Sequence, residues 1–297
     1  MKNNILVVGG TGFIGYHLLK SLRKKNKVFS LSKNKPKKIR KLKSVNYIFC
    51  DISKKNKLSK LLKKKSFDYI INLGGYVDHS NKSLTLRSHY YGCKNLVDIF
   101  KNKKIKLFIQ IGSSLEYGKN DSPHTETLKC KPSAIYGISK YKSSKYILES
   151  DKDNSFPYVI LRLYQIYGPN QSINRLIPIV IKSCIKDKKF NCSSGIQKRD
   201  FLYVDDFISL INKLIISKKK IKGIYNVGSG KPTSVRKTIE FIRQEIKKGK
   251  PNFGKIEMRK DESLNYYPSL KKIKRIINWK ARTSFKTGLR KTIKSYR

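Results

Sequence analysis

The sequence predicts an α/β fold with a doubly wound parallel sheet and a smaller C-terminal α/β substrate domain, on three observations. Short apolar runs alternate with segments whose apolar residues recur at helical spacing through the first half of the chain. The first apolar run ends in several glycines, and a helical pattern follows them at once. The length of 297 residues is enough for a nucleotide-binding domain and a smaller partner. We therefore expect right-handed crossovers and helices on both faces of the sheet.

The opening stretch joins an apolar strand, Ile5 to Val8, to a helix that begins near Phe13. Gly10, Gly12 and Gly15 fit a dinucleotide fingerprint at this junction. Small residues there let the backbone approach a pyrophosphate at the positive end of the helix. A glycine turn without a ligand is the alternative. Because a strand and a helix flank the glycines as the motif requires, we predict a Rossmann-type dinucleotide site.

Strand and helix patterns continue along the chain and suggest two domains. We predict a nucleotide-binding domain over residues 1–168 and a substrate domain over residues 169–297, with some elements of the second returning to the first. The predicted strands after the first include Lys27–Ser32, Asn46–Ile52, Tyr69–Leu73, Leu107–Ile111 and Tyr158–Leu163. The predicted helices include segments around Leu58, over residues 79–101, around Tyr136 and Lys140, and over Leu176–Ile185.

The charge balance is strongly basic, with 68 Lys and Arg against 19 Asp and Glu and a net charge of +49. A nucleic-acid partner is one explanation. The lysines are spread along the whole length instead of forming one block, so we favour solvated lysine-rich helix faces and expect no nucleic-acid partner. The basic field would still attract an anionic substrate.

The sequence does not indicate a metal, disulfide or membrane feature. The five cysteines have no C-x-x-C spacing and the four histidines have no metal-ligand spacing, so we expect neither a metal site nor a disulfide framework. The sequence has no apolar run long enough to span a bilayer and no signal-peptide pattern. We expect a soluble protein of the reducing cytoplasm that does not contact a membrane.

The end of the second predicted strand bears on cofactor choice. It carries Ser32 and Lys33 where an NAD enzyme usually places an acidic residue on the ribose 2′-hydroxyl. No carboxylate is there to repel a 2′-phosphate, and Lys35 and Arg40 are close in sequence to attract one. The sequence therefore favours NADP(H). If these cations belong only to the general excess, NAD(H) remains possible.

A hydroxyl and a phenol–amine pair stand out in the middle of the chain. Ser113 and Ser114 follow a predicted strand, and Tyr136 precedes Lys140 by four residues on a predicted helix. Residues four apart point to the same side of a helix, so the ammonium favours the ionised phenol. Tyr136 is thereby suited to donate or accept a proton.

These motifs make the chain resemble the extended short-chain dehydrogenase/reductase family, whose members mostly act on nucleotide sugars. The matches are Gly9-x-x-Gly12-x-x-Gly15 with Phe13-Ile14 inside it, Tyr136-Gly137-x-Ser139-Lys140, and Gly195-x-Gln197-x-Arg199-Asp200-Phe201-x-Tyr203-Val204-Asp205-Asp206. The resemblance implies that Ser113 orients the substrate carbonyl or hydroxyl, with Ser114 as the second candidate. It also implies that Tyr136 shuttles a proton, and that Lys140 supports the phenolate and binds the nicotinamide ribose.

The resemblance assigns cofactor contacts, among which Asp51 is implied to face the adenine. The implied cofactor set is Gly9, Gly12, Phe13, Ile14, Gly15, Ser32, Lys33, Asp51, Ile52, Leu73, Gly74, Gly75, Tyr136 and Lys140. Relatives usually have alanines at Gly74 and Gly75, where small residues let a cofactor lie against the backbone. They commonly have Asn at the position of His89. This histidine either makes a hydrogen bond there or is an ordinary surface histidine, and we favour the second interpretation.

Substrate contacts are implied mainly for the second half of the chain. Arg199 offers a planar donor fork suited to a diphosphate, and the resemblance places Arg259 on the diphosphate and Glu262 on the nucleoside ribose. The implied substrate-binding set is Ser114, Gln165, Asn174, Arg199, Arg259 and Glu262, with Gln165 replacing the usual Asn. The Asp205–Asp206 pair is predicted to cap the following helix.

The residues after Ser113 limit the reactions that the sequence supports. Dehydratases of the family place Asp-Glu directly after the catalytic hydroxyl, but Ser114 and Leu115 occupy those positions here, so we expect no dehydration. Glu116 and Tyr117 are predicted to be structural. Two reactions remain open: reduction of a nucleotide-linked 4-keto-6-deoxy sugar by NADPH, which we favour, and 4-epimerisation with tightly bound NAD.

The resemblance also points to one subgroup of reductases within the family and to an oligomeric state. Segments around Arg199 and Arg259 resemble those of reductases that make CDP-linked 3,6-dideoxyhexoses such as abequose and paratose, which implies deoxysugar biosynthesis for lipopolysaccharide O-antigen. Family members are usually homodimers, so a homodimer is expected. A non-catalytic RNA-binding relative is a third alternative, motivated by the charge. The intact set of Ser113, Tyr136 and Lys140 argues against it.

Overall fold

The computed structural model describes residues 2–76, 78, 80–258 and 262–297. Within them the strands are β1 (Asn4–Val8), β2 (Lys27–Ser32), β3 (Val45–Phe49), β4 (Tyr69–Asn72), β5 (Leu107–Ser113), β6 (Tyr158–Leu163), β7 (Gln165–Tyr167), β8 (Lys189–Asn191), β9 (Lys198–Arg199), β10 (Phe201–Tyr203), β11 (Gly223–Val227), β12 (Thr233–Ser234), β13 (Lys250–Asn252) and β14 (Asn265–Tyr266). The helices are α1 (Phe13–Leu22), α2 (Lys55–Leu62), α3 (Lys82–Leu86), α4 (Gly92–Phe100), α5 (Ile135–Glu149), α6 (Leu176–Ile185), α7 (Val204–Ile216), α8 (Val235–Ile246), α9 (Lys271–Ile277) and α10 (Phe285–Lys294). Shorter segments are the 3-10 turns Lys38–Arg40 and Ser114–Glu116 and the π-helical segment Arg87–Tyr91.

In the described ranges, seven strands form a central sheet in the spatial order β11-β6-β5-β4-β1-β2-β3. The neighbouring pairs from β6 to β3 are all parallel, and β11 lies at the edge beside β6. The strand order reverses between β1 and β4. Open α/β sheets bind ligands in the crevice at the carboxyl ends of the strands at such a reversal. The architecture confirms the predicted fold class.

The apolar runs form strands because helices cover both faces of a parallel sheet, and no position along the strand then has to be polar. Every residue of β6 is buried, as is every residue of β4. One large core cluster combines Leu6, Ile70, Phe108 and Ile160 from four strands with Phe100 of α4. This packing fixes the positions of the strand ends that carry the candidate site.

The third strand ends earlier than predicted. β3 stops at Phe49, whereas the sequence predicts a strand through Ile52. The chain turns because Oδ1 of Asp51 accepts hydrogen bonds from the backbone N–H and the hydroxyl of Ser53, at 2.9 and 2.8 Å. Asp51 therefore lies in a turn after the strand, with its carboxylate already engaged.

Two other predicted elements also differ from the structure. β5 continues to Ser113 instead of ending at Ile111, because its pairing with β6 extends to Leu163. The predicted helix over residues 79–101 consists of α3, the π-helical segment and α4 in succession. π-helical segments are rare and are frequent at functional sites.

The chain forms two compact units. The first consists of Met1–Gly118, Leu128–Leu163 and Ile208–Tyr225, and the second of Lys119–Thr127, Tyr164–Phe207 and Asn226–Arg297. In the second unit β7 pairs with β10, β8 with β13, and β9 lies between β12 and β14. The predicted boundary after residue 168 stays a prediction.

Three general features complete the description. No helix in the described ranges is both long and apolar enough to cross a membrane. The same ranges contain no group of three or more His, Cys, Asp or Glu that would hold a metal ion. The five cysteines are free thiols.

Candidate active site

The glycine turn between β1 and α1 leaves the start of the helix open. Gly9 has a φ of +78° and its missing Cβ would lie 3.0 Å from the carbonyl of Leu73, while a Cβ on Gly15 would lie 2.3 Å from the oxygen of Gly9. These two glycines let the turn, β4 and α1 pack closely. Gly12 is exposed and begins the helix without a side-chain cap. The free N–H groups of a first helical turn suit a pyrophosphate, so the turn fits a dinucleotide.

Cationic side chains lie at the end of β2. Ser32 is buried and its hydroxyl accepts a hydrogen bond from the N–H of Thr11 at 3.3 Å. Arg40 places Nη1 3.5 Å from the carbonyl oxygen of Thr11. Lys33 is largely exposed, with its ammonium 3.7 Å from the carboxylate of Asp51. The edge of the crevice therefore carries the cationic side chains of Lys33 and Arg40.

The predicted adenine contact, Asp51, is held in its ionised form. Partial burial would raise the pKa of its carboxyl, but hydrogen bonds from Ser53 and the charges of Lys33 and Arg87 hold that pKa below its ordinary value. Ile52 beside it is buried, and Phe13 and Ile14 at the start of α1 are half-buried. Their assignment to the cofactor stays a prediction.

The residues of the proposed catalytic trio lie on β5 and on the first turns of α5. Ser113 is the last residue of that strand. Lys140 on α5 is buried, and its ammonium donates a hydrogen bond to the carbonyl oxygen of Ile111 at 2.7 Å. The same ammonium lies 5.8 Å from the centroid of the Tyr136 ring. Since a Cβ on Gly137 would lie 2.5 Å from the carbonyl oxygen of Leu115, the first turn of α5 packs directly on the loop that follows Ser113.

A buried ion pair supports this loop. Glu116 is fully buried, and its Oε2 accepts a hydrogen bond from Nε of Arg162 at 2.9 Å. Burial alone would lower the pKa of Arg162, but the carboxylate of Glu116 and the neighbouring Tyr117 raise it above its ordinary value. The guanidinium also lies 4.6 Å from the centroid of the Tyr117 ring. Both Glu116 and Tyr117 are fully buried, and their structural role stays a prediction.

The second unit brings together two of the predicted substrate residues. Nη2 of Arg199 lies 2.6 Å from Oε1 of Glu262, and Nη1 donates to the carbonyl oxygens of Lys198 and Ser263. Burial lowers the pKa of Arg199, although the carboxylate of Glu262 opposes that effect. In this arrangement the donor fork is occupied by protein atoms. Arg259 lies outside the described residues.

The remaining predicted substrate residues lie apart from that pair. Gln165 begins β7 with an exposed side chain, and its N–H donates to the carbonyl oxygen of Asp200. Asn174 is exposed shortly before α6. Ser114 is buried in the first unit, directly after β5. Their role in binding stays a prediction.

A family model described as the NAD dependent epimerase/dehydratase family matches residues 5–228. The chain belongs to this family. Relatives across the family are epimerases, dehydratases and reductases, so the chain is an enzyme. The dTDP-D-glucose 4,6-dehydratase of Dictyostelium discoideum is 30% identical over 76% of this chain and 58% of its own length, so the chain spans less than two thirds of that relative. The CDP-abequose synthase of Salmonella muenchen is 28% identical over 99% of this chain and 98% of its own.

Solved structures agree with the fold of an epimerase/dehydratase family member. UDP-glucose 4-epimerase from Thermotoga maritima with UDP-glucose has a TM-score of 0.92 at 22% identity, over 99% of this chain and 98% of its own. UDP-glucuronic acid 4-epimerase from Bacillus cereus, in complex with UDP-glucuronic acid and NAD, has a TM-score of 0.88 at 25% identity over 98% of both chains. These structures agree in fold, and the family model over residues 5–228 confirms the family predicted from the sequence.

His89 is an unexpected neighbour of the site in this family member. The prediction of a surface histidine is wrong, since only 5% of His89 is exposed. It lies in the π-helical segment, its Nε2 is 3.1 Å from the carbonyl oxygen of Tyr76, and its ring meets the ring of Tyr136 edge to face at 5.0 Å. A Cβ on Gly75 would lie 1.9 Å from Cε1 of this imidazole. Glycine at position 75 therefore makes room for His89, and the unusual glycine was the signal in the sequence.

Gly74 is also constrained by the protein itself. A Cβ there would lie 2.9 Å from Cγ1 of Val8 and 3.0 Å from Oδ1 of Asn72. The same Asn72 oxygen accepts the N–H of Gly74 at 3.0 Å, and its amide donates to Gln110 at 2.8 Å. The half-buried Leu73 precedes this pair of glycines. Packing alone accounts for Gly74 and Gly75, and their contact with a cofactor stays a prediction.

Sequence reasoning missed roles for two other polar residues. The buried carboxylate of Asp200 accepts the N–H groups of Ser229 and Gly230 at 2.6 and 2.7 Å, which joins two segments of the second unit. His124 is fully buried, with Nδ1 2.7 Å from the hydroxyl of Tyr164. For Asp200, the glycine turn Gly228-Ser229-Gly230 that follows β11 was the available signal; His124 had none.

Asp205 and Asp206 lie in the first turn of α7, where negative charge suits the helix N-terminus. Asp206 has a further partner, since its carboxylate accepts the N–H groups of Arg282 and Thr283. The predicted negative charge at the helix N-terminus is confirmed, while the capping role of the pair stays a prediction. Asp206 in addition ties α7 to the segment before α10.

Proposed function

We propose that this chain is an NADPH-dependent reductase of a nucleotide-linked 4-keto-6-deoxy sugar. The observation that carries the proposal is the cationic end of β2, where Ser32 and Arg40 both contact Thr11 of the glycine turn. Lys33 follows the strand directly, and the nearby carboxylate of Asp51 is paired with it and with Ser53. A 2′-phosphate there would meet donors and positive charge. NADPH in turn favours net reduction over an internal redox cycle.

The proposed reaction assigns one task to each residue of the trio. A nicotinamide bound over the glycine turn would supply hydride to C4 of the sugar. Tyr136 would give its proton to the oxygen that becomes negatively charged, and Ser113 would donate a hydrogen bond to the same oxygen. Lys140, held by the carbonyl of Ile111, would stabilise the phenolate that remains.

Leu115 supports reduction over dehydration. It follows Ser113 by two residues and is 44% exposed. An apolar side chain cannot exchange a proton with the sugar, and the other candidate position, Ser114, is buried and carries no carboxylate. Elimination of water needs an acid or base that these two positions do not supply.

The second unit supplies the proposed nucleotide contacts. Glu262 is 26% exposed and would accept hydrogen bonds from the ribose hydroxyls, and a diphosphate held by Arg199 and Arg259 would have to replace the contact of Arg199 with Glu262. Gln165 and Asn174 are both exposed and would contact the sugar or phosphate. We extend the proposal to a cytoplasmic homodimer in deoxysugar biosynthesis, on the strength of the family resemblance alone.

The test is cofactor consumption. The purified chain is mixed with NADPH or NADH and a panel of nucleotide-linked 4-keto-6-deoxy sugars that differ in the base, and nicotinamide absorbance is followed. We expect stoichiometric oxidation of NADPH, slower oxidation of NADH, and a loss of about 100-fold or more in kcat for Tyr136→Phe. Equal rates with both cofactors would contradict the assignment of the β2 end.

A 4-epimerase is the second candidate. It is favoured by the similarity to structures of 4-epimerases, one of them holding NAD. An epimerase would use the same trio to oxidise and then reduce C4 on the other face. It would convert nucleotide hexoses without net change in nicotinamide absorbance, so the same measurement separates the two reactions.

A further inference from the structure

The carboxylate of Glu116 links the strand that carries Ser113 to the helix that carries Tyr136 and Lys140. Its Oε1 accepts the backbone N–H of Ser113 at 2.8 Å. Its Oε2 accepts the hydroxyl of Ser144, one turn beyond Lys140 on α5, at 2.8 Å, and Nε of Arg162 on β6 at 2.9 Å. Three elements of the first unit therefore meet at one buried group.

The surroundings are shaped for this carboxylate. A Cβ on Gly112 would lie 2.6 Å from Oε1 of Glu116, so glycine at this position leaves room for the carboxylate where it lies. Arg162 closes the other side and is itself covered by the ring of Tyr117. Neither charge of the pair is accessible, since Glu116 is 0% and Arg162 3% exposed.

The contact acts directly on the backbone of Ser113. While Glu116 accepts the N–H of Ser113, the hydroxyl of Ser113 accepts the N–H of Leu115 at 3.2 Å, which makes a reciprocal capping box. The box holds Ser113 in an extended conformation at the point where the strand becomes a 3-10 turn. The direction of the Ser113 side chain follows from that conformation.

From these contacts we propose that Glu116 is a positioning residue, whose carboxylate fixes Ser113 against α5 so that Ser113 and Tyr136 reach one substrate oxygen together. The proposal rests on the proposed function, because that function gives Ser113 and Tyr136 their tasks. A buried ion pair is weak support for stability, since apolar replacements of similar volume are often neutral or stabilising. The contacts of Glu116 do, in contrast, fix the position of Ser113. A displacement of about 1 Å in a reacting group costs about 100-fold in rate.

Two double variants separate these roles. Glu116→Gln with Arg162→Gln removes both charges but keeps an amide oxygen that accepts the N–H of Ser113. Glu116→Leu with Arg162→Met also removes both charges, but it leaves that N–H without an acceptor. Both are compared with the wild type in thermal unfolding, in NADPH binding by fluorescence, and in kcat and KM with the keto sugar.

We expect the Leu/Met variant to bind NADPH nearly as the wild type does, to keep its KM, and to lose about 100-fold in kcat. The Gln/Gln variant should stay within about tenfold of the wild-type kcat, since it retains the hydrogen bond. Equal kcat in the two double variants, or a loss of rate that merely follows the folded fraction, would overturn the positioning role.

A second measurement makes the test independent of turnover, and a single variant at Ser144 adds a test outside the double variants. Hydrogen exchange at the Ser113 amide should be equally slow in the wild type and in the Gln/Gln variant. In the Leu/Met variant it should be about tenfold faster or more. Ser144→Ala, which removes only the hydroxyl from α5, should lower kcat without weakening NADPH binding. If the wild type turns over no keto sugar, the proposed function fails. If the Ser113 amide exchanges at the same rate in the wild type and in all variants, the positioning role of Glu116 is refuted, whether or not the keto sugar is turned over.

Discussion

Replacing Gly75 with alanine should displace His89 and, through it, Tyr136. The new Cβ would lie 1.9 Å from Cε1 and 2.4 Å from Nδ1 of the imidazole, so the ring has to move. Overpacking of this kind costs about 1–3 kcal/mol. Moving the ring also breaks its 3.1 Å contact with the carbonyl oxygen of Tyr76, which is worth about 1 kcal/mol. We expect the free energy of unfolding to fall by about 2–4 kcal/mol.

The assay combines stability with rate. Chemical denaturation gives the change in unfolding free energy, and NADPH oxidation gives kcat. Because the His89 ring packs edge to face on Tyr136 at 5.0 Å, displacement should also lower kcat by about tenfold. The matched control is His89→Asn, whose smaller side chain leaves room for the added methyl group.

The double variant Gly75→Ala/His89→Asn tests whether the clash with His89 causes the loss of stability. If the clash with His89 is responsible, Gly75→Ala should cost little in the His89→Asn background, with a coupling energy of about 1–3 kcal/mol between the two positions. Equal costs of Gly75→Ala in both backgrounds would refute the reasoning, because the loss would then come from another neighbour of residue 75.

Three further outcomes are expected. Arg40→Gln should weaken NADPH binding about tenfold and leave NADH binding unchanged in calorimetry, and a parallel loss for both would show that Arg40 does not reach the 2′-phosphate. Lys140→Met should lower kcat about 100-fold at neutral pH while circular dichroism stays native, and unchanged turnover would remove Lys140 from the reaction. Burial lowers the pKa of His124 below its usual 6.5, so the unfolded chain binds more protons below that pH and the free energy of unfolding should fall as pH drops from 7 to 5. His124→Gln should flatten this dependence in thermal melts; an identical slope would assign it to other groups.

Much of the first unit follows from local sequence. The run Ile5 to Val8 is continuous because a central parallel strand is covered on both faces, so it could only be a buried strand beside a glycine turn. The Tyr136–Lys140 spacing likewise fixes one helix face, and α5 carries both residues and places the ammonium of Lys140 on the carbonyl oxygen of Ile111 in β5. These features depend on residues near one another in the chain.

The parts that could not be predicted depend on distant contacts. The burial of His89 requires the absence of a side chain at Gly75, and no periodicity reports that relation. The pairing of Arg199 with Glu262 joins residues 63 positions apart, so a donor fork that looks available in the sequence is occupied in the fold. The end of β3 depends on a side-chain hydrogen bond from Ser53 to Asp51, which competes with strand geometry.

The central claim is tested most directly by isotope transfer. The chain is incubated with NADPH deuterated on one face of nicotinamide C4 and with the keto sugar that gives turnover, and the product is analysed by mass spectrometry and NMR. The account predicts one deuterium at C4 of the sugar, from one face of the nicotinamide only, and loss of this product in Tyr136→Phe. Product that forms without deuterium at C4 while the added NADPH remains reduced would contradict it.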